Sequence, residues 1–323
     1  MTRPRVVVLG ATADEKPPGI DAAADAVDLR YAADEEALRA EIRDADGIYF
    51  WGATRAWLEA TFDDARRLRW IQTASDGVDG LLFPALIDSD VDVTNARGVF
   101  DDPIAEWVLA AILAFSTGLQ TSVLDQTRST WTHGRRRDRV SGQHMLVVGP
   151  GPIGRAAAAR ARALGMTVEG VGRTRREDAV LGTVHDPDAL HAALGRADHV
   201  LDALPYTAGT HAMFDAAAFA AMRPSARFYN VGRGGTVDEP ALIEALRNGT
   251  IAGAALDVFA QEPLPADSPL WSMTNVIVSP HISGDLPDWE ELVVDVFVDN
   301  ARRFAAGEPL RNLVDSGAGF GVG

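Results

Sequence analysis

Short apolar runs alternate with segments of helical period along most of the chain. Runs at 5–9, 28–31, 47–51, 70–73 and 91–94 predict strands, with helices predicted at 34–43 and 55–60 between them. A second series begins after residue 140. It predicts strands at 145–149, 167–172, 199–203, 227–231, 254–258 and 276–278, with helices at 153–164, 187–194, 215–222 and 239–247. Gly165 follows the first of these helices, where a left-handed C-terminal cap favours glycine. Strictly alternating strands and helices imply parallel, doubly wound sheets, an α/β fold. The six strands of the second series fit a dinucleotide-binding sheet.

Two longer amphipathic segments stand outside this alternation. One begins at Asp102-Pro103, read as an N-cap followed by proline at the first helical position, and continues to about Thr117. The other runs from about 288 to 306, with Leu292, Val293, Val296, Phe297 and Phe304 on one stripe. No internal repeat or low-complexity linker interrupts the pattern.

The chain has 323 residues, enough for two domains. A net charge of −16 argues against nucleic acid as a partner, because phosphate binding needs a basic face. The local exception, Arg135-Arg136-Arg137-Asp138-Arg139, reads as a solvated loop. Cysteine is absent, so disulfides, thiolate catalysis and cysteine metal sites are excluded, and no metal site is expected. The N-terminal apolar run, Val6 to Leu9, is too short for a secretory signal, and no stretch suffices for a membrane span. A soluble cytoplasmic protein is the expectation.

The first candidate for chemistry is the turn Gly149-Pro150-Gly151-Pro152-Ile153-Gly154, placed between a predicted strand and a predicted helix. In a dinucleotide site the first glycine allows the tight turn, Gly151 lets backbone approach the pyrophosphate, and Gly154 lets helix and strand pack closely. Amides at the helix start, from Pro152-Ile153-Gly154 onward, then face the phosphates. The next strand ends in Arg173, Thr174 and Arg175, where NAD enzymes usually carry an acid that accepts the ribose 2′-hydroxyl. A guanidinium suits a 2′-phosphate instead. NADPH is therefore the expected cofactor, with NADH second.

Three further residues each end or follow a predicted strand. Arg233 lies in Asn230-Val231-Gly232-Arg233-Gly234, His281 in Ser279-Pro280-His281, and Glu262 in Leu256-Asp257-Val258-Phe259-Ala260-Gln261-Glu262-Pro263. Singly, each has a plain reading as a surface or loop residue. Together they supply what reduction of a 2-keto acid needs. An arginine can hold carboxylate and carbonyl side by side, a histidine can supply a proton, and a carboxylate beside it fixes the imidazole tautomer.

These blocks, in this order, resemble the D-2-hydroxyacid dehydrogenase family, from about residue 47 to about 310. The resemblance implies a Rossmann dinucleotide-binding domain over 100–283, inserted into a flavodoxin-like substrate domain made of 1–99 and 284–323. It implies reduction of a small 2-keto acid, such as glyoxylate or hydroxypyruvate, to the D-2-hydroxy acid. Arg233 would bind substrate, His281 would be the acid/base, and Glu262 would support it. Asp257 would contact the nicotinamide carboxamide. Leu204, Pro205 and Thr210, with Val231 and Gly232, would border the cofactor. The stretch Ala74-Ser75-Asp76-Gly77-Val78-Asp79 resembles the loop whose amides hold the substrate carboxylate. Family members often carry a small residue where Asp76 stands, so this acid is a departure. Trp51 would line the substrate pocket or serve as a core aromatic. The segment opening at Asp101-Asp102-Pro103, with Trp131, implies a homodimer, although Leu109, Ile112 and Leu113 suit an intrachain core equally. A formate dehydrogenase relative is disfavoured, because Glu262 stands where that branch carries an amide. The alternative from another class is a nucleotide-sensing protein like the corepressor relatives of this fold.

Overall fold

The computed structural model describes residues 3–134, 137–315 and 320–321. Arg135 and Arg136 of the basic run lie outside them. The chain forms two compact units, Met1–Val99 with Leu286–Gly323, and Phe100–Asp285.

The first unit holds five parallel strands: β1 (Arg5–Leu9), β2 (Asp28–Ala32), β3 (Gly47–Phe50), β4 (Trp70–Thr73) and β5 (Asp92–Thr94). Their order, β2-β1-β3-β4-β5, is the flavodoxin-like arrangement. Val7, Leu9, Ile48, Ile71 and Val93 fill its core with Leu38 and Leu58 from two covering helices. The helix Trp289–Ala306 belongs to this unit. Its Phe297 stacks on Tyr49 at 4.2 Å and on Trp70 at 5.8 Å. Buried Asn300 donates to Gln72 Oε1 at 2.9 Å, which ties the helix to β4.

The second unit is built on β6 (His144–Val148), β7 (Thr167–Val171), β8 (Arg176–Asp178), β9 (Gly182–His185), β10 (His199–Asp202), β11 (Arg227–Asn230), β12 (Gly253–Leu256) and β13 (Val276–Val278). The order is β13-β12-β11-β10-β6-β7-β9-β8, and only β8 runs antiparallel. Strand order reverses between β6 and β10, the topological switch of a Rossmann sheet. Apolar side chains fill both faces, with Leu146, Val200 and Phe228 on one and Met145, Val147 and Leu201 on the other.

Two sequence expectations need correction. Six strands were expected here, yet the sheet has eight. The missing pair, β8 and β9, are three and four residues long and carry Arg, Glu, Asp, Thr and His, so they lack an apolar alternation to read. The helix expected to be capped by Asp102 starts two residues earlier, as Asp101–Thr117 with Phe100 at the cap. Asp102 is inside the first turn, where a carboxylate suits the positive end of the helix dipole, and pairs with Arg160 at 2.8 Å. Pro103 is tolerated at the third position because first-turn amides have no intrahelical acceptor. Among the described residues no single helix is long and apolar enough to cross a membrane.

Candidate active site

The glycine-rich turn closes β6 at the switch point. Gly149 has φ +95°, and a Cβ there would stand 2.5 Å from the carbonyl oxygen of Ala203, just past β10. No side chain fits that approach. Gly154 is equally constrained, since its Cβ would lie 2.4 Å from Gly149 O. At Gly151, by contrast, a Cβ would meet nothing within 4 Å, so this side of the turn is open. Pro152 opens the helix Pro152–Ala163. The amides of Ile153 and Gly154 fall in its first turn, where the helix offers no acceptor. A dinucleotide pyrophosphate fits this cradle: tight backbone below, open space at Gly151, and amides at a helix start.

Arg173, Thr174 and Arg175 are exposed on the link between β7 and β8. Neighbouring acids are engaged elsewhere. Glu177 accepts from Thr183 Oγ1 at 3.1 Å. Asp178 pairs with Arg155 and accepts from the amides of Val180 at 2.8 Å and Leu181 at 3.0 Å. Arg155 belongs to the helix that follows the glycine turn, so this ion pair ties the β8–β9 hairpin to the cofactor turn.

After β10, Leu204 is half-buried and Pro205 exposed. Thr210 Oγ1 donates to Pro205 O at 2.6 Å and accepts from Thr207 N at 2.8 Å. Its hydroxyl therefore shapes the loop that borders the turn.

Arg233 follows β11. Asn230 Oδ1 accepts from Gly232 N at 3.0 Å, and Asn230 Nδ2 donates to Arg233 O at 3.2 Å. Val231 is buried, and Arg233 Nη1 donates to Gly232 O at 2.7 Å. A Cβ on Gly234 would stand 1.9 Å from the Phe259 carbonyl, so the arginine turn and the loop after β12 meet backbone on backbone. In that loop Glu262 Oε1 accepts from Phe259 N at 2.9 Å. Glu262 Oε2 lies 2.7 Å from His281 Nδ1. An ionised carboxylate only accepts, so Nδ1 carries the hydrogen and Nε2 is the ring atom left for chemistry. The His281 side chain is 50% exposed, and its backbone is left-handed at φ +56°.

That unusual backbone is held by Asp257, which is 1% exposed. Its carboxylate accepts from Ser279 Oγ (2.5 Å), Ile282 N (3.0 Å), Ser283 N (3.0 Å) and Ser283 Oγ (2.5 Å). Both oxygens are thus taken up in fixing the segment on either side of His281. Asp257, which the resemblance assigns to the nicotinamide carboxamide, shapes this loop through those four hydrogen bonds. Sequence reading missed Asp202, Thr236, Ser279 and Ser283, which have partners on other elements, and Asn230, whose partners are Gly232 and Arg233 of its own turn.

The remaining expected residues stand in the first unit. Trp51 follows β3 and stacks on Trp289 with ring centroids 5.8 Å apart. Asp76 O accepts from Asn95 Nδ2 at 2.6 Å, and Asp76 Oδ1 lies 3.4 Å from the same nitrogen. Gly77 O accepts from Ser75 Oγ at 2.7 Å, and Val78 is buried in the core.

The profile of the D-isomer specific 2-hydroxyacid dehydrogenase NAD binding domain matches residues 109–283, more than half the chain. The chain belongs to the D-isomer specific 2-hydroxyacid dehydrogenase family. Glyoxylate/hydroxypyruvate reductase B of Salmonella typhimurium is 36% identical over 273 residues, covering 82% of this chain and 83% of the relative. A 2-hydroxyacid dehydrogenase from Xanthobacter autotrophicus, solved with NADPH and MES, is 30% identical with a TM-score of 0.81, over 99% of this chain and 100% of that one. An NADPH-dependent glyoxylate/hydroxypyruvate reductase from Sinorhizobium meliloti, solved with NADP and sulfate, is 28% identical with a TM-score of 0.82, over 99% and 100%. This chain is accordingly an NAD(P)-dependent dehydrogenase acting on CH–OH groups.

In this dehydrogenase, Asp257→Ala strands two serine hydroxyls and two amides, and an unsatisfied buried donor costs about 1–3 kcal/mol. Amide hydrogen exchange across 279–283 is expected to accelerate well beyond that of the β6–β7 core. Protection equal to the parent protein would contradict this role.

Proposed function

We propose that this dehydrogenase reduces a small 2-keto acid of the glyoxylate or hydroxypyruvate class to the D-2-hydroxy acid, with NADPH as cofactor. The observation that carries the proposal is the 2.7 Å contact of Glu262 with His281. The relatives described above, two of them solved with NADP or NADPH, support the same substrate class and cofactor.

Bound NADPH supplies the hydride. Gly151, Ile153 and Gly154 take its pyrophosphate, and Leu204, Pro205, Val231 and Gly232 border it. Arg173 and Arg175 take the 2′-phosphate, with Thr174 adding a hydroxyl. Arg233 grips the substrate carboxylate and carbonyl, and favours the negative charge that grows on the carbonyl oxygen. His281 Nε2 gives that oxygen its proton, while Glu262 holds the ring in the Nδ1–H tautomer. The second unit is the cofactor domain. The resemblance supports a substrate-recognition role for the 76–78 amides and Trp51 of the first unit.

We further propose a homodimer. Leu109 and Ile112 are buried within their own unit, but Leu113, Leu119 and Val123 are exposed and Trp131 is 85% exposed. An apolar surface of this kind favours association. Sedimentation equilibrium is expected to give twice the chain mass of 34.5 kDa, and a monomer at micromolar concentration would contradict it.

The direct test of the activity is kcat/KM over a panel of 2-keto acids with both cofactors. NADPH is expected to be preferred by at least about tenfold, the worth of one charge-assisted contact, and Arg173→Asp to erase that preference. Preference for NADH would overturn the cofactor reading, and absence of turnover with every keto acid would overturn the function.

A further inference from the structure

A buried acid lies directly beneath the cofactor and substrate loops of the second unit. Asp202 ends β10 and is fully buried, in register with Asn230 at the end of β11. Its Oδ1 accepts from Leu204 N at 3.0 Å, at the root of the loop that borders the cofactor turn. Its Oδ2 lies 2.5 Å from Thr236 Oγ1. Thr236 is also fully buried, and the same Oγ1 lies 2.6 Å from Arg233 O.

Proton counting makes this arrangement informative. A threonine hydroxyl has one hydrogen to donate. It stands at short distance from two oxygens, and the Arg233 carbonyl can only accept. Both contacts are satisfied together when Thr236 donates to Arg233 O and accepts from a carboxylic acid. Among the described residues no cation pairs with Asp202. Three residues before Thr236, the Arg233 guanidinium donates through Nη1 to Gly232 O at 2.7 Å. Burial pushes the Asp202 carboxyl up to about 7, against the opposing pull of the Thr236 and Leu204 hydrogen bonds.

We propose that Asp202 is a positioning residue that works as an uncharged acid: through Thr236 it holds the Arg233 turn, and through the Leu204 amide it locks that turn to the cofactor-side loop. The two segments touch already, since a Cβ on Gly232 would stand 2.5 Å from Leu204 O. Their relative placement is therefore sensitive to any shift at Asp202. Arg233 O also takes hydrogen bonds from Asn230 Nδ2 and Thr236 N, so the turn is fixed from three sides. A substrate-binding guanidinium on such a turn inherits its precision.

The inference rests on Arg233 binding the keto acid, as proposed above, and the test keeps the two apart. Three variants are compared with the parent protein: Asp202→Asn, Asp202→Ala and Thr236→Val. Asparagine keeps a neutral donor toward Thr236 and an acceptor for Leu204 N. Asp202→Asn is expected to hold KM for glyoxylate and hydroxypyruvate within about threefold, while the alanine and valine variants raise it about tenfold or more, the loss of one buried hydrogen bond. The NADPH dissociation constant, from fluorescence titration, is expected to change by less than about threefold in all three, a split between substrate and cofactor that general misfolding would not give. Infrared spectroscopy of the parent protein at pH 6 should show a neutral carboxyl band that Asp202→Asn removes. The proposal is overturned if that band is absent, if asparagine raises KM as much as alanine, or if alanine leaves KM unchanged. If the band is present and the parent protein turns over no keto acid, the neutral acid stands and the assigned reaction fails.

Discussion

The hydrogen bond from His281 Nδ1 to Glu262 Oε2 is the contact to which the rest of the second unit is subordinate. It fixes the tautomer of a half-exposed imidazole, with the hydrogen on Nδ1. Neither partner is placed by its own strand alone. Glu262 is set by the Phe259 amide within its loop. His281 sits in a left-handed backbone that the Asp257 carboxylate holds from beneath with four hydrogen bonds. A buried carboxylate satisfied in this way resists deformation, because losing any one donor leaves a polar group unpaired.

The same logic recurs along the C-terminal edge of the sheet. Glycines at 149 and 234 bring backbone against backbone, where any Cβ would collide with the next loop. Asp202 and Asp257 then tie neighbouring loops together from below. The loops after β6, β10, β11 and β12 thus form one continuous set of contacts. The parallel sheet makes this possible, because every strand but β8 delivers its carboxyl end to the same edge. A Rossmann sheet binds its ligand at this edge, and the glycine turn, Arg233, Glu262 and His281 all follow strands that end there.

Much of this was legible in the sequence because the decisive blocks are local. The glycine turn, the Asn230–Gly234 turn and the Ser279–His281 segment each follow an apolar run, so strand ends and candidate side chains could be read together. Other features depend on distant partners and left no local mark. Asp202 looks like a stray charge closing an apolar strand, and Thr236, its partner, is 34 residues away. The donors to Asp257 lie 22 to 26 residues downstream. Strands β8 and β9 escaped notice because they are three and four residues long and bury only Val184, too little to show an alternation.

Glu262 and His281, joined at 2.7 Å, are expected to act as a single unit. A double-mutant cycle on kcat/KM, using Glu262→Gln, His281→Ala and the two combined, tests it most directly. The prediction is strong non-additivity: once His281 is removed, changing Glu262 costs less than about twofold, although alone it costs about tenfold or more. Additive losses, with Glu262→Gln as damaging in the absence of the imidazole as in its presence, would show that the two side chains act independently.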